Sequence, residues 1–327
     1  MKIRPYQESD EQGIFKLDRS VEEHEYNRRD IENWEWKYKG ANPAGDAIIY
    51  VCENKDEIIA HFAAIPMKYW SGNQEVTASH SIAMMVKPEW QKRGLVKFVT
   101  DKVIKELEEK QIPFTYGYPN EAAHLLHKTF MAYEDITMQK LYQVDLNSER
   151  PKMDLSLPEG VKFSEIDKFD AFVDALWNNT KNDYNTLVVR TADFLNWRYI
   201  ARPDIKYHAF GLFKGSELLG YCILKLYQDG DIQRGHFVDI FTTHADISTF
   251  QMLVAHGLGF FEKQNCTECN LWLQGHAGFQ DALKQSGFDV VSSRPLICRF
   301  NHEKEKYEKV LNDQNWYFTM GDTLEIY

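Results

Sequence analysis

No run of apolar residues approaches the ~20 needed to cross a bilayer as a helix, so no membrane-spanning helix is expected. No apolar core follows the opening Met1-Lys2-Ile3-Arg4, so no export signal is expected either. Cysteine is scarce, with five in 327 residues. Without an export signal they read as the reduced thiols of a cytoplasmic protein. Two of them form Cys266-Thr267-Glu268-Cys269, but this CxxC has no second pair and no clear histidine partner. It reads as packing, and no metal site is expected. Positive charge is in deficit: 38 Lys and Arg against 49 Asp and Glu leave a net charge of −11. That balance argues against nucleic acid or an anionic membrane as the main partner, though not against a local basic pair such as Lys92-Arg93. What the chain does have is length for two domains and 43% hydrophobic residues, enough for sizeable cores.

The stretch from Ser81 to Lys102 organises the rest. Ser81 to Val86 is a short apolar run, and Pro88 lacks an N–H and biases Lys87 away from helix, so a strand should end there. From Leu95, apolar residues recur at Phe98, Val99, Val103, Ile104 and Leu107, the spacing of an amphipathic helix. Gln91-Lys92-Arg93-Gly94-Leu95-Val96 lies between. A loop of this kind gathers backbone N–H groups and the positive end of a helix into one concavity, which suits a pyrophosphate.

Val86, Pro88, Glu89, Trp90, Gln91 and Gly94 resemble the acyl-CoA motif of the GNAT acyltransferases, V-x-P-E-(aromatic)-Q-x-x-G-x-(G/A). Val96 stands where that family prefers Gly or Ala, a place where a branched side chain can crowd the phosphates, and cofactor binding is still expected. Asn120, Ala123 and Leu126 resemble the family's end motif, with His127 in place of its usual tyrosine and Ala132-Tyr133 in place of Gly-Phe. The resemblance implies that Met84, Met85 and Val86 offer backbone N–H groups to the pantetheine and thioester. It also implies that Gln91 to Val96 hold the diphosphate, and that Asn120 bonds the pantetheine arm or a water.

The order of elements agrees. Lys2–Tyr6 reads as a strand, Ser9–Glu23 and Arg28–Lys39 as helices, and Ala47–Cys52, Ile58–Tyr69 and Glu75–Val86 as a meander with polar turns. Pro113–Tyr118 is a strand, Glu121–Phe130 a helix, and Tyr133–Leu146 a last strand or strand pair. Pro151, Pro158 and Gly160 mark a linker. A repeat then follows. Phe194-Leu195-Asn196-Trp197-Arg198-Tyr199 echoes Asn33-Trp34-Glu35-Trp36-Lys37-Tyr38, and the hairpin, strand and helices come after it at an offset near 155 to 161 residues. Trp34, Trp36 and Trp197 then share a structural role. His244 to Thr249 has no glycine and puts Asp246 where a phosphate would sit, so the second copy is expected not to bind CoA. The aromatic ending Trp316 to Asp322 reads as a core-closing strand. The expected fold class is α/β with a mixed sheet: two tandem GNAT-like domains at 1–146 and 161–300, a linker at 147–160, and a tail at 301–327 packed on the body.

Acyl transfer to an amine needs a held thioester, a stabilised oxyanion, a base for the ammonium and an acid for the thiolate. His127 is the candidate acid by position, with Tyr116, Tyr118 and Tyr133 as neighbours that could substitute. For the base, Glu53, His61 and His80 lie on the meander. Asp239, on the matching strand of the second copy, could face a cleft between the copies. A water-relayed base, or none, is the alternative. The expected activity is N-acetyl transfer from acetyl-CoA to a primary amine of a small molecule or amino sugar bound where the copies meet. Two other readings stay open: a FemAB-like transferase using aminoacyl-tRNA, against which the acidic balance speaks, and a non-catalytic CoA-binding or ligand-binding protein.

Overall fold

The computed structural model describes residues 1–21, 31–40, 42–151, 156–243, 245–312 and 316–324. The chain runs β1 (Lys2–Pro5), α1 (Glu11–Val21), α2 (Ile31–Tyr38), β2 (Ile48–Asn54), β3 (Glu57–Ser71), β4 (Gln74–Val86), α3 (Leu95–Glu109), β5 (Phe114–Gly117), α4 (Glu121–Phe130) and β6 (Glu134–Asp145). It continues with β7 (Val161–Glu165), α5 (Ala171–Thr180), β8 (Thr186–Val188), α6 (Ala192–Leu195), β9 (Tyr207–Lys214), β10 (Glu217–Asp229), β11 (Ile232–Thr242), α7 (Ile247–Lys263), β12 (Glu268–Gln274), α8 (Ala277–Gln285), β13 (Asp289–Phe300), α9 (Lys304–Tyr307) and β14 (Phe318–Thr319). The expected helices over Ser9–Glu23 and Arg28–Lys39 reach into 22–30, which, like His244 and 152–155 of the expected linker, lie outside the described residues. Among the described residues no helix is long and apolar enough to cross a membrane.

The first unit comprises Met1–Tyr69, Glu75–Thr137 and Pro295–Leu311. Its strands follow the order β1-β2-β3-β4-β5-β13. Lys55 and Asp56 take the positive φ values, 50° and 64°, that a two-residue hairpin between β2 and β3 requires. On one face of the sheet, Leu95, Val99, Val103 and Leu107 of α3 pack on Ile48, Cys52, Phe62 and Val86. This is the apolar stripe read from the sequence, and each such side chain stabilises by about 1.5–3 kcal/mol when fully buried. Trp34 of α2 packs against Tyr6, Phe15, Tyr38 and His61.

The second unit comprises Trp70–Gln74, Met138–Arg294 and Asn312–Tyr327, with strand order β6-β12-β11-β10-β9-β7 and β14 beside β12. Trp197 is buried here as Trp34 and Trp36 are in the first unit. These limits differ from the expected ones at the last strand of each half. From Met138 onward β6 counts with the second unit, where it pairs with β12 from Asp145↔Glu268 to Leu141↔Trp272. From Pro295 onward β13 counts with the first unit, where Ile297 to Phe300 pair with Gly117 to Phe114 of β5. Edge hydrogen bonding, not sequence order, decides the membership.

Candidate functional site

The first unit's sheet opens at its centre. β4 and β5 pair in parallel only at Ser79↔Thr115 and His80↔Tyr116. Just beyond, Ala83 takes φ 51°, a left-handed conformation that breaks the run of β4. Its carbonyl accepts a hydrogen bond from His61 Nδ1 at 2.8 Å. A Cβ at Gly117 would lie 2.6 Å from Ser81 Oγ, so a larger residue there would displace the Ser81 hydroxyl where the strands begin to part. Alternate N–H groups of a strand point to opposite neighbours. Lys87 N–H donates to Ile59 O on β3 at 2.9 Å. The amides of Val86 and Met84 therefore face the opening and that of Met85 faces β3.

At the mouth of this wedge, Gln91 Nε2 donates to Val86 O at 3.1 Å and ties the loop back to the strand. Lys92 and Gly94 take φ 60° and 78° on either side of Arg93. That alternation curls successive N–H groups inward. Among the described residues no backbone hydrogen bond uses the N–H of Lys92, Arg93, Gly94, Leu95 or Val96. Gly94 precedes α3 with no side chain to cap it, and a Cβ there would meet only Phe98 at 3.7 Å. The cup is open, and its free amides with the adjacent cations fit a diphosphate. Arg93 lies 4.9 Å over the Trp90 ring. Leu95 is buried and anchors the helix. The Val96 side chain packs with Met84 against the apolar cluster of Met131, Tyr133 and Ile297.

Asn120 caps α4, its Oδ1 accepting from Ala123 N–H at 2.9 Å. His127 lies inward on that helix. Burial holds its imidazole below the ordinary range, and Nδ1 meets Ala123 O at 2.7 Å. A neutral ring whose one N–H is committed to a carbonyl has only a lone pair at Nε2. The structure thus corrects the expectation of His127 as acid. Tyr133, a neighbour that could substitute, packs edge-on against it at 4.7 Å. Its hydroxyl shares a hydrogen bond with Ser81, burial raises its pKa well above that of a free phenol, and it touches the cluster that Met84 and Val96 line.

The candidate bases are paired or buried. Glu53 pairs with Arg4 at 2.7 Å. His80 stacks on Tyr116 at 4.8 Å. His61 holds Ala83. Asp239 is 1% exposed, with Arg190, Tyr221, Thr319 and the Ile240 N–H on its carboxylate at 3.0–3.3 Å. A sealed carboxylate saturated with donors offers no free lone pair to an amine, so the expectation of Asp239 as a base is corrected too. Arg190 also faces Asp322 at 3.0 Å. Neither Arg190 nor Asp322 was singled out from sequence; an arginine after the apolar Leu187-Val188-Val189 was the available signal.

The second unit treats the equivalent places differently. Asp246 caps α7, its Oδ1 accepting from Thr249 N–H at 2.9 Å. β11 and β12 pair in parallel as far as Phe237↔Leu271. Past that point Leu273 and Gln274 pair with Thr319 and Phe318 of β14. The Tyr317 hydroxyl reaches Ile240 O on β11, and Gly321 lies against Val238 O, 3.2 Å from where its Cβ would be. The tail fills the gap between these two strands, as a core-closing strand. Cys266 and Cys269 are buried, and burial raises the Cys266 thiol to about 11, so neither is reactive. Among the described residues no cluster of His, Cys, Asp and Glu could hold a metal ion.

Residues 2–128 match the model of the GNAT acetyltransferase domain. No curated protein matches the chain. Among solved structures, a GCN5-related N-acetyltransferase from Anabaena variabilis aligns with 92% of this chain and 73% of its own at 13% identity, with a TM-score of 0.70. A tandem GNAT protein from the clavulanic acid biosynthesis pathway aligns with 92% of this chain and 99% of its own at 12% identity and a TM-score of 0.61. N-myristoyltransferase from Saccharomyces cerevisiae, solved with myristoyl-CoA, aligns over 92% and 79% at 11% identity and 0.61. At these identities the likeness shows the fold: a GNAT domain at 2–128, within a chain of tandem GNAT architecture.

Proposed function

We propose that this chain is an acyl-CoA-dependent N-acyltransferase. Acetyl-CoA is the donor, and the acceptor is a primary amine of a small molecule or amino sugar. One observation supports the reading: among the described residues no backbone hydrogen bond uses the N–H groups of Lys92 to Val96, in the loop that follows the strand whose pairing with β5 ends at His80↔Tyr116. These amides suit a diphosphate, and those of Met84 and Val86 suit a pantetheine and the oxyanion of a thioester. The amine nitrogen attacks the thioester carbon, the C–S bond breaks, and the thiolate takes a proton. Tyr133, protonated across the working pH range, is the donor placed beside the sheet opening. Because the candidate bases are paired or buried, the amine arrives neutral or gives its proton to water. Five unpaired, buried cysteines support a cytoplasmic setting.

Titration calorimetry with acetyl-CoA tests the reading, followed by thiol release across a panel of amines and amino sugars. Saturable micromolar binding and amine-dependent thiol release support it. No heat at high micromolar acetyl-CoA would overturn it.

A further inference from the structure

A buried side chain reaches the break in β4. Ala83 sits at φ 51°, a region that alanine avoids because its Cβ crowds the carbonyl oxygen that follows. Such a conformation persists only where its surroundings over-determine it. Here the fixed point is His61, whose Nδ1 lies 2.8 Å from the Ala83 carbonyl. The ring is 1% exposed and edge-on to Trp34 and Tyr38, 6.3 and 6.4 Å away between centroids. Its rotamer is therefore locked. Its Nε2 is buried with no hydrogen-bond partner among the described residues. A buried orphan nitrogen is a standing cost that an apolar residue would avoid. Its retention points to the other nitrogen.

We propose that His61 is a positioning residue. By donating from Nδ1 to the Ala83 carbonyl it holds the outward step of β4, and so aims the Met84 amide into the opening where a thioester carbonyl would lie. This rests on the acyltransferase reading for its purpose, but the hold itself does not depend on it. A carbonyl turned to a side chain has left the sheet ladder, and the amide of the next peptide turns with it. Lys37 and Asp18 are the charged groups that act on the ring from α2 and α1, with opposite effects, so the grip does not rest on either alone.

The test compares His61→Leu with His61→Asn, whose amide nitrogen can take the place of Nδ1, and with His61→Leu/Ala83→Gly, in which glycine accepts the left-handed conformation without strain. Two readouts are taken: amide hydrogen exchange of Met85 and Lys87, whose N–H groups face β3, in the free protein, and kcat and KM with acetyl-CoA. Expected for His61→Leu is at least tenfold faster exchange at these amides and a ten- to hundredfold lower kcat, with KM for acetyl-CoA within threefold. Asparagine restores both, and Ala83→Gly restores part of kcat. Wild-type exchange and wild-type kcat in His61→Leu would overturn the proposal, as would loss in His61→Asn equal to that in His61→Leu. If the wild type itself turns over no acetyl-CoA, the functional reading has failed, and exchange alone still decides for or against the hold.

Discussion

Gly94 and Asp246 occupy the same place, the residue before the long helix of each half, and do opposite things there. Gly94 brings no side chain and leaves the first amides of α3 open. Asp246 covers those of α7 with its own carboxylate, 2.9 Å from the Thr249 N–H. One unit leaves its long helix without a capping side chain, and the other caps its own with a carboxylate.

Gly94→Asp copies the second solution into the first. The carboxylate would compete for the same amides and repel a diphosphate. Acetyl-CoA affinity should fall at least about 30-fold, roughly 2 kcal/mol, while circular dichroism stays as in the wild type. The converse, Asp246→Gly, should gain no binding, because residues 316–322 still lie between β11 and β12. Calorimetry on both variants checks this, and unchanged affinity in Gly94→Asp refutes the site.

Tyr133→Phe should lower kcat by roughly 100-fold, the usual scale for a lost acid, with acetyl-CoA affinity within about threefold. His127→Phe should act more weakly, through its packing on Tyr133. Equal losses in the two variants, read by thiol release, would return the proton to the imidazole.

Two histidines are buried neutral, which sets an acid limit on stability. Burial pushes His61 down to about 4 and His236 to about 3. A histidine depressed in the folded state contributes stability above its unfolded value near 6.5, and that contribution is lost as pH falls toward the folded value. His61 alone accounts for a loss on the order of 3 kcal/mol between pH 6.5 and 4. The melting temperature should drop between pH 6.5 and 5, before most carboxylates titrate, and His61→Asn should flatten that drop. A wild-type melting temperature that is flat over this window would contradict the assignment.

Arg190 is the cation between two buried carboxylates, Asp239 and Asp322, and burial pushes the latter up to about 6. Arg190→Met should destabilise by about 3–5 kcal/mol, because it strands buried charge. Adding Asp322→Asn should recover part of this. Urea unfolding measures both, and a loss under about 1 kcal/mol would show that water reaches the cluster.

The sequence announced most of the first unit because its signals are local. Pro88 ends β4, the 3.6-residue stripe from Leu95 becomes α3, and the loop between them is the one that its glycine and basic residues suggested. The repeat located the strands of the second half for the same reason. What stayed hidden depends on partners far away in sequence. Ala83 gives no sign of a left-handed turn, since the reason lies 22 residues earlier in His61. Asp239 reads as a strand-end charge until Arg190, 49 residues before it, and Thr319, 80 after it, are placed upon it. His127 takes a tyrosine's position in the motif, but the backbone carbonyl of Ala123 commits its proton.

The exchange of last strands has a consequence for synthesis. A ribosome releases residues 1–137 long before it reaches 295–300, yet β5 finds its outer neighbour only in the latter. Until then the nascent front half carries a bare edge strand, the kind of surface that recruits strangers. Cutting the gene at the linker should therefore yield two aggregating fragments rather than two working halves, and mixing them as they are made should rescue what neither achieves alone.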